Sequence, residues 1–406
     1  MAAVLVLVLL AGVLLASQRP WESGTDAAPT VPPIPADAST RLTQQLRDLS
    51  GAETEKAFVA AAGDLPAART FGRRTWRSLQ AIAAPGAVFR YTSGGEVADR
   101  SDGSATATVE VEWRASAASG LDPAVTRRST VKLRVAPERG GAFSVVSVER
   151  ADSGVPIWLV GAVTIDRGDG RVVLRVDGGD DERPVDEMAT TARTAVASVV
   201  PGVTGDLVII SPHTQAEMAA ILGQSQDAVK QIAAVTTRLD PGTESPTVVV
   251  VLNPSVFATM DQRAAQVVLS HEATHALTTA VGTGAPNWVV EGFADYVALR
   301  SDTAPLTVSA GQILTRVAAG EVPAQLPGDA DFGATQHGLG AVYESAWMIF
   351  RLLGERFSDA QIVDFYQRVV GGEPVEKALD GVFGLTVDQL TQQWRDYLTK
   401  SASTVS

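Results

Sequence analysis

The sequence predicts an α+β protein, and the changes of texture along its 406 residues carry that prediction. From Thr40 to Ala84 apolar residues recur with helical spacing, and from Ala87 to Val148 they alternate with polar ones, as in half-buried strands. From Arg171 strand-like and helical patterns alternate, until beyond Trp288 the chain reads as almost wholly helical. About 370 residues behind the N-terminal segment are too many for one simple core, so more than one module is expected.

Residues Met1 to Ala16 are apolar except for Gly12, a run long for the apolar part of a secretory signal and a little short for a full membrane span. No Lys or Arg precedes it and no A-x-A site follows. Residues 1–17 therefore read as a signal anchor, with a removed signal peptide as the alternative; a start codon further upstream would account for the missing basic residues. Residues 18–38 form a Pro-rich linker, in which Pro20 to Pro35 separate the apolar run from anything it could pack against. The expected address is the cell membrane, single-pass with an extracytoplasmic body, or else secretion. No second apolar run approaches membrane length.

Residues 39–152 form the first module. Its strands are expected at Ala105–Trp113, Thr130–Val135 and Phe143–Val148, behind the helical stretch. Helices followed by a curved antiparallel sheet resemble the NTF2-like cone fold. No catalytic constellation occurs in it, so it reads as a scaffold or binding module.

Residues 153–400 carry the chemistry. Thr247–Leu252, before Asn253-Pro254, reads as a buried strand closed by a turn. Asp261 to Val281 contains no Gly or Pro, opens behind Thr259 with Gln262 three residues on as a capping-box pattern, and stops at Gly282-Thr283-Gly284. After Pro286, Asn287 is a plausible N-cap for a second helix, Trp288–Val297. An apolar helix opens at Tyr343 and runs to Leu353, and Ser358/Gln361 and Thr386/Gln389 mark two further helix starts.

The first of these helices holds His271-Glu272-Ala273-Thr274-His275. On a helix, positions i and i+4 lie about 40° apart, so both imidazoles can reach one metal ion while Glu272 stands beside them, free to act as a base. The chain's own frequencies, 4 His and 19 Glu in 406 residues, would produce this pattern by accident in roughly two such chains per thousand. The second helix carries Glu291 and Asp295 at i, i+4, which makes a third ligand and a neighbour available. A solvated charge is the plain alternative for Glu291, but its flanks, Val290 and Phe293, are apolar, and an unpaired buried carboxylate is costly.

The pairing of HEATH with a downstream E-G-x-A-D helix resembles the gluzincin metallopeptidases, and most closely the peptidase MA-like family of bacterial envelope proteins. That resemblance implies a two-lobed zincin catalytic unit binding Zn²⁺ through His271, His275 and Glu291, with Glu272 as general base and Asp295 orienting His271. A metzincin would need Gly at 278 and His at 281, where this chain has Thr278 and Val281. No G-A-M-E-N stretch precedes the zinc helix, so the acidic loop with which an aminopeptidase anchors its substrate's amine is not evident. The helix at Tyr343 is similar to the Y-x-K-G helix whose tyrosine steadies the oxyanion, although Ser345 and Ala346 replace its Lys and Gly. Tyr343 could take that role or be an amphipathic tyrosine at a helix start; His337, in the loop before it, is the alternative source of positive charge. In gluzincins the sheet edge corresponding to Thr247–Leu252 lies above the cleft and pairs with extended substrate, which implies a peptide ligand; an ordinary core strand is the alternative.

His213 follows the apolar run Leu207–Ile210 and precedes a helix near Thr214, which fits a turn or capping role. With no cysteine there are no disulfides, thiolate ligands or Cys nucleophile, so His and carboxylates are the only metal chemistry available. A net charge of −13 argues against nucleic acid and anionic headgroups as partners, leaving the N-terminal segment as the only membrane contact. Nothing calls for an oligomer, and a monomer is expected. The function expected is a zinc-dependent metallopeptidase acting on a peptide or protein outside the cytoplasm, the alternative being a catalytically silent envelope scaffold.

Overall fold

The structure, a computed structural model, describes residues 36–93, 103–149, 154–177, 183–239, 247–278, 280–333 and 338–405. Among them no helix is long and apolar enough to cross a membrane. The apolar run Met1–Ala16 and the Pro-rich stretch up to Pro35 lie outside the described residues.

Three helices come first: α1 (Ala36–Ser50), α2 (Glu55–Ala62) and α3 (Pro66–Ile82). Thr54 caps α2 by accepting from the Ala57 amide, and Pro66 starts α3, where its missing N–H is no loss. The strands β1 (Ala83–Ser93), β2 (Ala105–Ala115), β3 (Thr126–Pro137) and β4 (Phe143–Glu149) follow as an antiparallel meander in chain order. Ala107, Val109, Val111, Trp113 and Ala115 of β2 all turn inward, as a half-buried strand requires.

A mixed layer follows, with α4 (Ile157–Val160), β5 (Val163–Gly168), β6 (Arg171–Val176), α5 (Val185–Val199), β7 (Leu207–Ser211), α6 (Gln215–Leu222), α7 (Gln226–Val229), β8 (Ala234–Leu239) and β9 (Thr247–Leu252). The sheet order is β5-β6-β7-β9-β8, with β6, β7 and β9 parallel and the two outer strands antiparallel to their neighbours. Thr247–Leu252 is thus an inner strand, and the edge position expected of it belongs to β8. Continuous apolar runs such as Leu207–Ile210 and Val248–Leu252 are what a sheet covered on both faces demands.

Each face packs into its own core. Val172, Leu174, Val208, Ile210, Val249 and Val251 join Phe89, Trp113 and Trp158, so the apolar core of the N-terminal elements runs on into this sheet. Val173, Ile209, Val250 and Leu252 face the helices on the other side. Arg127, fully buried, lies 5.3 Å from the centre of the Trp113 ring, donates to the carbonyls of Asp122 and Val125, and reaches Thr247 Oγ1, at the start of β9, at 3.4 Å.

Beyond Leu252 the described residues contain no strand. The helices are α8 (Pro254–Phe257), α9 (Gln262–Leu277), α10 (Asn287–Ala298), α11 (Leu306–Ser309), α12 (Gly311–Ala318), α13 (Leu339–Arg356), α14 (Asp359–Val370), α15 (Val375–Phe383) and α16 (Val387–Val405). Ser358/Gln361 and Thr386/Gln389 make the reciprocal capping-box bonds. Two other caps differ from expectation. Asp261, not Thr259, caps α9, its carboxylate accepting from the Ala264 amide at 2.8 Å, because Thr259 is spent on the Val256 carbonyl at the end of α8. Pro286 takes the cap position of α10, and the Asn287 amide donates instead to Asp329.

Candidate metal centre

Along α9, every residue from Val268 to His275 is buried. A helix so enclosed must satisfy its own polar groups, and Thr274 and Thr278 do so by donating to the carbonyls four residues back, Ser270 and Thr274. α10 is equally enclosed from Trp288 to Val297 and packs on α13 through Gly292. A Cβ at 292 would stand 2.6 Å from the Ala346 carbonyl oxygen, so only glycine allows this approach.

These two helices bring His271, His275 and Glu291 together. His271 Nε2 lies 2.9 Å from His275 Nε2 and 3.1 Å from Glu291 Oε2, and His275 Nε2 lies 3.3 Å from the same carboxylate oxygen. The three ligand atoms converge closely enough for a single metal ion to be held by all of them. Asp295 accepts from His271 Nδ1 at 2.7 Å, and in the neutral tautomer that bond leaves the Nε2 lone pair directed at the other two ligand atoms.

The electrostatics ask for a cation. Burial works against a charged His271, but the Asp295 and Glu291 carboxylates overcome it and hold the imidazole well above its usual range. Burial would likewise raise Glu291, yet His275 and His271 beside it hold its carboxyl down to about 2. Two imidazoles and the Glu291 carboxylate in a dry site, with Asp295 behind His271, are a donor set that a divalent metal would satisfy.

Glu272 is 1% exposed, and burial raises its carboxyl above the ordinary range against the pull of His271 and His275. Its Oε2 accepts from Thr236 on β8 at 2.5 Å, whereas its Oε1 has no hydrogen-bond partner among the described residues. Tyr343, on the first turns of α13, is also buried, its ring centre 6.5 Å from that of His271 and 5.2 Å from that of Phe332. Burial, reinforced by the Glu291, Asp295 and Glu272 carboxylates, pushes its hydroxyl well above the usual range, so it stays protonated. A cavity of about 30 Å³, room for roughly one water, lies beside it, lined in part by Asp295, Tyr343, Glu344 and Trp347.

Residues 210–312 match the model of a family described as peptidase of plants and bacteria. The match takes in β8, α9 and α10 and every residue of the His271, His275, Glu291, Asp295 and Glu272 cluster, and stops short of Tyr343. It covers 103 of 406 residues, so the peptidase likeness is a likeness of the segment that holds the His271, His275 and Glu291 cluster. No curated protein matches the chain.

His337 lies outside the described residues. His213 is exposed, with its backbone amide donating to Glu217, and the capping box of α6 starts at the next residue, Thr214. Sequence reasoning missed Thr236 altogether. The only local signal was the β-rich run Ala234-Val235-Thr236-Thr237, which marks a strand and says nothing of a helix 36 residues on.

Proposed function

We propose that the protein is a zinc-dependent metallopeptidase of the gluzincin type, similar to the peptidase MA-like envelope proteins, that hydrolyses peptide bonds outside the cytoplasm. One observation carries the reading: beside a His/His/Glu triangle that could hold one metal ion stands a carboxylate with one oxygen tied to Thr236 and the other without a partner among the described residues. Zinc supplies a Lewis acid that polarises the scissile carbonyl and acidifies water. Glu272 takes the proton of the attacking water and returns it to the departing amine. Tyr343, neutral, donates its O–H to the oxygen that gains charge. Asp295 keeps His271 in the tautomer that offers Nε2. β8, the edge strand among the described residues, would offer main-chain partners to an extended peptide or protein substrate.

The remaining expectations form part of the same proposal: a monomer with no nucleic-acid partner, tethered through residues 1–17 or secreted, with residues 39–152 as an NTF2-like scaffold. The near-complete burial of His271, Glu272, His275 and Glu291, none above 3% exposed, favours a second reading, in which the metal is structural and the protein a silent scaffold. Elemental analysis of the full chain, with a peptide-library cleavage assay on wild type and Glu272→Gln, separates the two. Peptidase action predicts one zinc per chain in both and cleavage in wild type alone. Stoichiometric zinc in a variant lacking all three ligand side chains would refute the site.

A further inference from the structure

We infer that Thr236 is a positioning residue for Glu272: its hydroxyl pins one carboxylate oxygen so that the other is left to carry the proton. The inference rests on the peptidase reading and adds to it a residue from outside the helices that bear the ligands.

Thr236 stands in the middle of β8, the edge strand, opposite Val250 of β9, and its side chain is 3% exposed. Its Oγ1 lies 2.5 Å from Glu272 Oε2 and 3.0 Å from the Glu272 main-chain carbonyl oxygen. A hydroxyl has one proton, and a charged carboxylate at the shorter distance is the stronger acceptor, so the proton goes to Oε2. The carbonyl at 3.0 Å is a second, neutral acceptor within reach of the same hydroxyl.

Two consequences follow for the carboxyl group. A buried glutamate with three side-chain torsions would otherwise choose among rotamers, and one short bond to a rigid strand removes that choice. The bond also makes the two oxygens unequal. Oε2, already accepting, is the poorer base; Oε1, buried without a partner among the described residues, is the oxygen on which an abstracted proton resides. Proton balance holds throughout: water gives a proton to Oε1, Oε1 gives it to the departing amine, and Thr236 keeps its own. β8 is also the edge strand, among the described residues, along which an extended substrate would lie, so the strand that carries the peptide also sets the base.

The test compares Thr236→Val, which keeps the shape and removes the hydroxyl, with Thr236→Ser, which keeps the hydroxyl, in the full chain. The Val variant should lose about 10-fold in kcat, a part of the roughly 10²–10⁴ that general-base help contributes, with KM little changed and one zinc per chain retained; Ser should recover most of the loss. A second readout needs neither metal nor turnover. In metal-free protein the melting-temperature shifts of Thr236→Val and Glu272→Ala should be non-additive, because each removes the same bond. Wild-type kcat in the Val variant, or additive shifts, overturns the assignment of Thr236 while leaving the peptidase reading intact. Silence of wild type itself on every peptide overturns both.

Discussion

The two faces of the five-stranded sheet are built from one set of strands and do different work. Against one face, Leu174, Val208, Ile210, Val249 and Val251 meet Phe89, Trp113 and Trp158, an almost wholly apolar layer. Beyond the other, where Val173 faces the same helical core, Ile209 and Val250 lie under α9, which buries Ser270, His271, Glu272, Thr274 and His275. Apolar burial at roughly 25 cal/mol per Å² makes the first face a source of stability. The second spends part of that stability on keeping charged and polar groups dry. Alternate side chains of a strand point to opposite faces, so the separation follows from geometry: Val173 and Leu174 are neighbours in sequence and lie in different cores.

If the faces divide the work in this way, substitutions on them should separate cleanly. The largest effect is expected at the polar side. Glu272→Gln should lower peptide hydrolysis by about 10²–10⁴ with zinc retained and melting temperature unchanged, since shape is kept and basicity lost; equal cleavage by both proteins would remove Glu272 from the base role. On the apolar side, Leu174→Ala should cost about 2–5 kcal/mol by cavity formation. Denaturant titration would read that loss, while zinc content and turnover per folded molecule stay at wild-type values. A large fall in zinc content would mean that the faces are not independent.

Between these lies Asp295, which touches no substrate in this scheme. Asp295→Asn should weaken zinc binding about 10–100-fold, measured by competition with a chromogenic chelator, because His271 loses the acceptor that fixes its ring. Unchanged affinity would show that the 2.7 Å contact orients nothing.

The smallest effect concerns Glu344, next to Tyr343, which caps α12 by accepting from the Ile313 amide at 2.7 Å. Burial raises its carboxyl to about 7 despite that bond. A folded-state value above the unfolded one means a contribution fully present below about pH 4.5 and lost as pH rises through about 7. Glu344→Gln should therefore melt close to wild type at pH 5 and above it at pH 8. A gain of the same size at both pH values would locate the effect in packing instead.

What could be read in the chain beforehand was whatever one helix or strand encodes by itself. The i, i+4 spacing placed both imidazoles on one side of α9, the pair Glu291 and Asp295 on one side of α10, and the alternation in Ala105–Trp113 marked a half-buried strand. Neighbourhood was not legible. β9 reads as a buried strand whether it is inner or outer, and only the assembled sheet order puts β8 at the edge. Thr236 meets Glu272 across 36 residues of sequence, with no spacing rule to announce it. The caps of α9 and α10 differ from the local pattern because Thr259 donates to the Val256 carbonyl of α8 and because α10 starts one residue earlier than the pattern suggests, with Asn287 already inside the helix and Pro286 at the cap. Gly292 was visible as a glycine in a helix, but the helix whose carbonyl it admits begins nearly fifty residues later.

The shared apolar core also orders events in time. A ribosome releases Ala36–Glu149 first, and domains begin to fold as they emerge. Phe89, Trp113 and their neighbours must then wait for β6, β7 and β9 to be synthesised before their last apolar surface is covered. The helices that carry His271, His275 and Glu291 arrive later still, and Tyr343 after them. A chain interrupted before Glu291 would hold an incomplete ligand set, and one interrupted before Tyr343 would lack the proposed oxyanion donor, so the groups proposed to cut peptides come together only once the layer beneath them has been made.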